Sequence, residues 1–176
     1  MTNDALKNLE ARRSVRAFKD GMISDDELKA VLEAGTFAPT GMNRQSPLIV
    51  ALRDAKTIKK LSELNRSFMP GASGDPFYGA PVVIAVFADR NVRTYVEDGS
   101  LVIGNMLNAA ASLELGGCWI HRAKEEFETP EGRAMCREWG VGDEYEGIGH
   151  CILGYPAPGA IRPAKPRKDG YYRIIG

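Results

Sequence analysis

Residues 95–115 form the longest helical pattern in the chain, and their apolar positions narrow what can surround them. Leu101, Val102, Ile103, Met106, Leu107 and Leu113 wrap most of the helix circumference instead of forming one stripe. A helix that is apolar all round has to be buried all round. In a chain of 176 residues, burial on every side predicts that a second subunit covers part of this helix. Gly116 and Gly117 should stop it.

The remaining elements follow from periodicity and punctuation. Residues 3–11 read as a short helix with Leu6 and Leu9 on one face. Ser24 followed by Glu27 is a capping-box pattern, and Leu28, Val31 and Leu32 behind it carry helical spacing. That helix should fail before Pro39. Residues 38–47 (APTGMNRQSP) are rich in turn-formers and read as a loop. Residues 48–52 predict a strand, 54–64 a helix, 65–79 an irregular loop, and 81–88 (PVVIAVFA) a central strand apolar on both faces. A strand should begin at Cys118. Thr129 and Pro130 suit the N-cap and first position of a helix ending near Gly140. Residues 147–155 predict the last core strand, and 171–175 a strand-like end to a proline-containing tail. Strands and helices in this order imply an α+β fold, with helices flanking a mixed central sheet. No linker or repeat divides the chain, so residues 1–176 read as one domain. The tail, 156–176, has the form of an arm exchanged between subunits; a tail lying over its own surface is the plainer alternative.

Composition excludes several functions. With 23 basic and 23 acidic residues the chain lacks the basic excess of a nucleic-acid binder. Cys118, Cys136 and Cys151 offer neither a disulfide framework nor zinc-ligand spacing. Cys118 and Cys151 sit in apolar runs and read as buried small residues. The polar first ten residues lack a signal-peptide core, and no run reaches the roughly 18 apolar residues a membrane span needs. A cytoplasmic protein without a metal, a nucleic-acid partner or a membrane is the expectation.

Chemistry concentrates at a few places. Arg12, Arg13, Ser14 and Arg16 follow the first helix, and guanidinium forks beside a hydroxyl suit a phosphate. The competing reading is a solvated basic turn facing the negative end of that helix. Lys165, Pro166, Arg167 and Lys168 form a second cluster, which is either a solvated charge run or the other half of the same anion site. Pro39, Thr40, Gly41, Asn43 and Gln45 could read the edge of a heterocycle, or could simply connect helix to strand. Ile120, His121 and Arg122 follow a strand, and His150 reads as structural. The chain lacks GxGxxG, P-loop, GxSxG and HExxH patterns.

Taken in order, these segments resemble the nitroreductase family of FMN-dependent oxidoreductases. RRSVRAF resembles that family's opening flavin-phosphate motif, and APTGMNRQSP its PSxxNxQP loop. FYGAPVVIAV resembles its second core strand, LELGGCWI its GLGxCWI segment, and GYPAPGAIRPAKPRK its GYP-then-basic tail. The resemblance implies an α+β sandwich and a homodimer with exchanged C-terminal arms, with FMN at each interface. Arg12 and Ser14, completed by Lys165 and Arg167, would then hold the flavin phosphate, with Arg13 beside them among the cofactor-binding residues. Arg16 would sit near the pyrimidine edge. Pro39, Thr40, Gly41, Asn43 and Gln45 would come from the other subunit. Ile120, His121 and Arg122 would lie near the N5 side of the ring, where a backbone N–H meets it.

The resemblance further implies a ping-pong cycle, with hydride passing from NADH or NADPH through flavin N5 to a nitroaromatic, quinone or similar electron-poor acceptor. His121 is the candidate proton donor. Alternatives are another flavin reaction on the same fold, such as a dehydrogenase or reductive dehalogenase, and a non-catalytic flavin-binding protein. The chain departs from the family pattern at Thr40, where serine is common, and at His121 and Arg122, where small residues are common. Larger polar side chains there would narrow the pocket or suit an anionic substrate. Residues 91–101 are too few for the lid helices of longer relatives.

Overall fold

The apolar helix packs against an antiparallel sheet and leaves part of its outer face uncovered. The computed structural model describes residues 2–71 and 73–176; Met1, in the expected polar start, and Ala72, in the expected irregular loop, lie outside them. In chain order the elements are α1 (Asp4–Ala11), α2 (Asp25–Thr36), a 3-10 turn (Gly41–Asn43), β1 (Pro47–Leu52), α3 (Ala55–Ser67), β2 (Val82–Asp89), α4 (Tyr95–Ser112), β3 (Gly116–Ile120), α5 (Ala123–Glu128), α6 (Pro130–Glu138) and β4 (Tyr145–Gly154). The strand order is β1-β2-β4-β3, and each neighbouring pair is antiparallel.

The α+β class holds. The sheet is less mixed than expected, because its parallel component is one isolated bridge between Ser14 and Gly117. No strand comes from the tail, where residues 171–175 are irregular and Tyr172, Ile174 and Ile175 stand 81–89% exposed. A strand needs a neighbour for its N–H and C=O groups, and one chain supplies none here.

Period-two alternation along β2 sorts the core into two layers. Val82, Ile84, Val86 and Ala88 face α2 and α4, while Val83, Ala85 and Phe87 face a second cluster with Leu61, Phe77, Phe127 and Met135. Burial on both faces is why this strand reads as a continuous apolar run. On α4, Val102, Ile103, Met106 and Ala110 are buried, but Leu101 and Val96 remain 47% and 45% exposed. That uncovered stripe is the part of the helix a single chain does not enclose.

Local signals fix the element ends. Ser24 and Glu27 form the reciprocal capping box at the start of α2, and Thr129 caps α6 with Pro130 behind it. β3 starts at Gly116, two residues earlier than expected, because close approach requires glycine there. A Cβ on Gly116 would lie 2.7 Å from Val15 Cγ1. α3 runs to Ser67, beyond the expected end, since Asn65 continues its buried face. α5 was not anticipated from the sequence.

The segment after α1 is strapped across one end of the sheet. The Val15 N–H donates to Gly117 O at 2.9 Å, Lys19 N–H to Tyr155 O at 2.8 Å, and Ala157 N–H to Ala17 O at 3.0 Å. This strap carries Arg12 to Arg16 to the chain that leaves β4. Among the described residues no helix is long and apolar enough to cross a membrane.

Cys118, Cys136 and Cys151 are all buried. Burial pushes the Cys136 thiol up, and burial followed by the neighbouring Cys118 pushes the Cys151 thiol far up. Thiolate is the reactive form. The native protein should therefore leave the aromatic disulfide reagent DTNB uncoloured at pH 8, and release three equivalents only after denaturation. Rapid native reaction would contradict this packing.

Candidate functional site

The strap and the start of the tail enclose a basic cleft of about 440 Å³, lined by Arg13, Ser14, Arg16, Ala17 and residues 158–163 other than Ile161. Its first wall is placed by the end of α1, where the Arg12 N–H closes the helix on Asn8 O at 2.9 Å. The Arg13 guanidinium donates through Nη1 to Glu10 O at 2.6 Å and Arg12 O at 2.7 Å. Its Nε is buried and has no hydrogen-bond partner. A buried donor without an acceptor is costly, and an anion that reached it would satisfy it. The Arg16 guanidinium lies 5.9 Å from the centre of the Tyr78 ring, a cation–π arrangement that restrains it. Cations, a hydroxyl and an unpaired buried donor together fit a phosphate.

Of the residues expected at this anion site, Arg13, Ser14 and Arg16 come together, and Arg12 is half-buried at the preceding helix end. Lys165 and Arg167 do not join them within one chain. They lie in the exposed tail, where Arg167 Nη2 donates to the Lys165 carbonyl at 2.7 Å. The cation lining the tail side of the cleft is Arg162. Sequence reading passed over it because the denser run at 165–168 drew the assignment.

The second candidate segment, residues 39–45, is held in shape by a residue the sequence did not single out. Asp98, 2% exposed near the start of α4, accepts from Gly41 N–H at 2.9 Å, Ser46 Oγ at 3.0 Å and Thr94 Oγ1 at 3.2 Å. A Cβ on Gly41 would fall 2.2 Å from Thr94 Oγ1, so only glycine fits this seat. Met42, Asn43 and Gln45 take φ values of 54°, 53° and 50°. Asn43 and Gln45 pair through their side-chain amides at 3.3 Å, and Gln45 N–H donates to Thr40 Oγ1 at 3.1 Å. The loop is preformed and faces outward: Pro39, Asn43 and Gln45 are exposed, beside Met42 at 83% and Phe37 at 77%. An apolar groove of about 410 Å³ runs beneath it, lined by Leu32, Ala38, Leu48 and Val102 among others. The groove and the basic cleft share no lining residue.

The third segment is the end of β3. Ile120 is buried, His121 exposed and Arg122 half-buried. Arg122 is left-handed, with φ 78° and ψ 10°. Its Nε donates to Asn65 Oδ1 at 3.1 Å, and Asn65 Nδ2 donates to the His121 carbonyl at 2.9 Å. Asn65 Nδ2 also meets Glu126 Oε1, and Glu126 Oε2 lies 2.8 Å from His150 Nε2. His150 is fully buried, in keeping with its structural reading. Asn65 and Glu126 carried no motif that would have marked them. Among the described residues no cluster of three or more His, Cys, Asp or Glu side chains is placed to hold a metal ion.

Comparison with known proteins gives a consistent result. Residues 9–155 match the Nitroreductase family. An Archaeoglobus fulgidus protein, provisionally named an NADH dehydrogenase/NAD(P)H nitroreductase, is 33% identical over 96% of this chain and 90% of its own length. The crystal structure of a Bacteroides fragilis nitroreductase with bound FMN superposes with a TM-score of 0.92 at 30% identity, covering 99% of this chain and 100% of that one. A Desulfitobacterium hafniense nitroreductase with bound FMN shares the fold, with a TM-score of 0.89 at 23% identity over 100% of both chains.

Proposed function

This chain belongs to the nitroreductase family, and from that premise we propose that it is an FMN-dependent oxidoreductase acting as a homodimer in the cytoplasm. It takes hydride from NADH or NADPH and delivers it to an electron-poor acceptor such as a nitroaromatic or quinone, in a ping-pong cycle through one open site. The observation that carries this reading is the cleft at the family's phosphate motif, lined by Arg13, Ser14, Arg16 and Arg162, with the Arg13 Nε buried and unpaired.

Bound FMN supplies the two-electron chemistry, and the chain supplies binding, orientation and electrostatics. Arg12, Arg13 and Ser14 bind the phosphate, with cations of the tail, Arg162 or Lys165 and Arg167, closing the site. Arg16 brings positive charge to the pyrimidine edge, where negative charge grows on reduction. Thr40, Gly41, Asn43 and Gln45, preformed by Asp98, reach the ring from the second subunit, together with Pro39. Ile120, His121 and Arg122 border the reacting side, and the exposed His121 is the candidate proton donor. The second subunit also covers Leu101 and Val96 on α4, and its arm, residues 156–176, crosses over the first. Exposed apolar patches of this kind mark association surfaces.

An absorbance spectrum of the purified protein tests the cofactor. Visible flavin absorption, with FMN released on denaturation, is expected. NADH or NADPH oxidation should follow on adding menadione or nitrofurazone. Colourless protein that takes up no added FMN would overturn the reading. Yellow protein inert with both nicotinamides and every acceptor would make it a flavin carrier.

A further inference from the structure

A chain of three fully buried polar side chains runs from the interior of the sheet to the end of β3. Asn65, Glu126 and His150 are each 0% exposed. They come from α3, α5 and β4, so the chain joins three elements remote in sequence. His150 Nε2 and Glu126 Oε2 are 2.8 Å apart, and the other Glu126 oxygen meets Asn65 Nδ2. The same amide nitrogen donates to the His121 carbonyl at 2.9 Å, and Asn65 Oδ1 accepts from Arg122 Nε at 3.1 Å.

Two features set this chain apart from ordinary core packing. A buried carboxylate and imidazole are costly compared with apolar residues of the same volume, and are often no more stabilising. They sit here among Phe77 and Phe127, whose ring centres lie 5.3 and 5.9 Å from that of His150. The chain also ends on Arg122, a non-glycine residue in the left-handed region. Such backbone persists where its surroundings over-determine it, and such residues cluster at ligand sites. The Asn65 amide holds Arg122 from both sides of the peptide, through the preceding carbonyl and through the side chain.

We infer that His150, Glu126 and Asn65 are positioning residues that fix the His121–Arg122 turn against the bound flavin, acting through the turn without touching the ligand themselves at His150 or Glu126. The inference rests on the FMN reading proposed above. His150 is the point at which to test it, because it lies two side chains away from the turn. Its Nδ1 is buried without a hydrogen-bond partner, so only the Nε2 side transmits anything. Substituting glutamine places an amide N–H near the Nε2 position, whereas asparagine places it near Nδ1.

The experiment is FMN titration of the deflavinated dimer, followed by quenching of flavin fluorescence, for the parent, His150→Leu, His150→Asn, His150→Gln and Met135→Ala. Met135→Ala opens the same core layer from α6 and serves as the control for simple destabilisation. His150→Leu and His150→Asn should each weaken FMN by about tenfold, the size of effect seen when a group supporting a ligand contact is removed. His150→Gln should restore near-parental affinity, and Met135→Ala should lower the melting temperature while leaving FMN affinity unchanged. Equal affinity across all the His150 variants would overturn the inference and leave the cofactor reading intact. So would a loss of affinity in Met135→Ala matching that in His150→Leu. A parent protein that binds no FMN would overturn both. If His150→Leu does not fold, the contrast between Gln and Asn decides the matter.

Discussion

Arg12→Ala combined with Arg167→Ala is expected to purify as a folded dimer that binds FMN roughly 10²- to 10⁴-fold more weakly than the parent, two lost charge-assisted hydrogen bonds at ~1.5–3 kcal/mol each. The fold should survive because neither side chain supports the core. Arg12 is half-buried at a helix end and Arg167 is exposed, and substitutions at such places usually shift stability by no more than about 0.5 kcal/mol. Equilibrium dialysis against FMN, with circular dichroism as the check on folding, measures both halves. Arg162→Ala belongs beside it, since Arg162 lines the cleft within one chain and Arg167 does not. If the double variant retains its flavin and Arg162→Ala loses it, the tail's phosphate ligand is Arg162. If all the variants remain fully flavinated, the phosphate is held elsewhere.

That comparison is needed because the tail is where the sequence was least informative. Its conformation depends on neighbours that one chain does not contain. Residues 171–175 have strand-like composition but no edge to pair with, and they remain irregular. By contrast, α2, α4 and α6 were legible because their determinants are local. Ser24 with Glu27, the apolar circumference of residues 101–107, and Thr129 with Pro130 each act within a turn or two of chain. α5 was not legible. It is six residues long, acidic, and begins at a left-handed arginine, so neither a cap nor a periodicity announces it. Its place is set by Phe127 packing on Phe87 and by Glu126 reaching Asn65 and His150.

The candidate site divides the same way. Arg13, Ser14 and Arg16 could be read because consecutive residues on an extended strap stay together whatever the fold. The loop at residues 39–45 could be read from its turn-formers. What shapes the loop could not. Asp98 lies more than fifty residues away, in the first turn of a largely apolar helix, bonded to Gly41 and Ser46. An acidic residue in a first helical turn has a sufficient local explanation in the helix dipole, so nothing in the sequence asks for a tertiary one. Asn65 and Glu126 were invisible, and His150 legible only as a structural residue, for a related reason: the contact that gives each its meaning spans elements that only the sheet brings together.

Asp98→Ala should be the most damaging single substitution in the loop's framework. The carboxylate accepts three hydrogen bonds, from Gly41 N–H, Ser46 Oγ and Thr94 Oγ1. Bonds to a charged acceptor contribute ~1.5–3 kcal/mol each, though not additively, and Ser46, 6% exposed, would be left with a buried hydroxyl. The Met42, Asn43 and Gln45 conformations each carry strain of about 1–3 kcal/mol, which that anchor offsets. A loss of ~3–5 kcal/mol follows, and for a domain of this size it lowers the melting temperature by roughly 6–20 °C. The loop should also open before the core does. Arg44 is exposed at its tip, so trypsin should cut there much faster in the variant, at temperatures where circular dichroism remains native. Asp98→Asn should fall between the two, because one amide oxygen still accepts while the new N–H₂ faces donors. The anchoring role would be disproved by a melting temperature within about 2 °C of the parent, a shift of less than ~1 kcal/mol, with cleavage after Arg44 no faster than before.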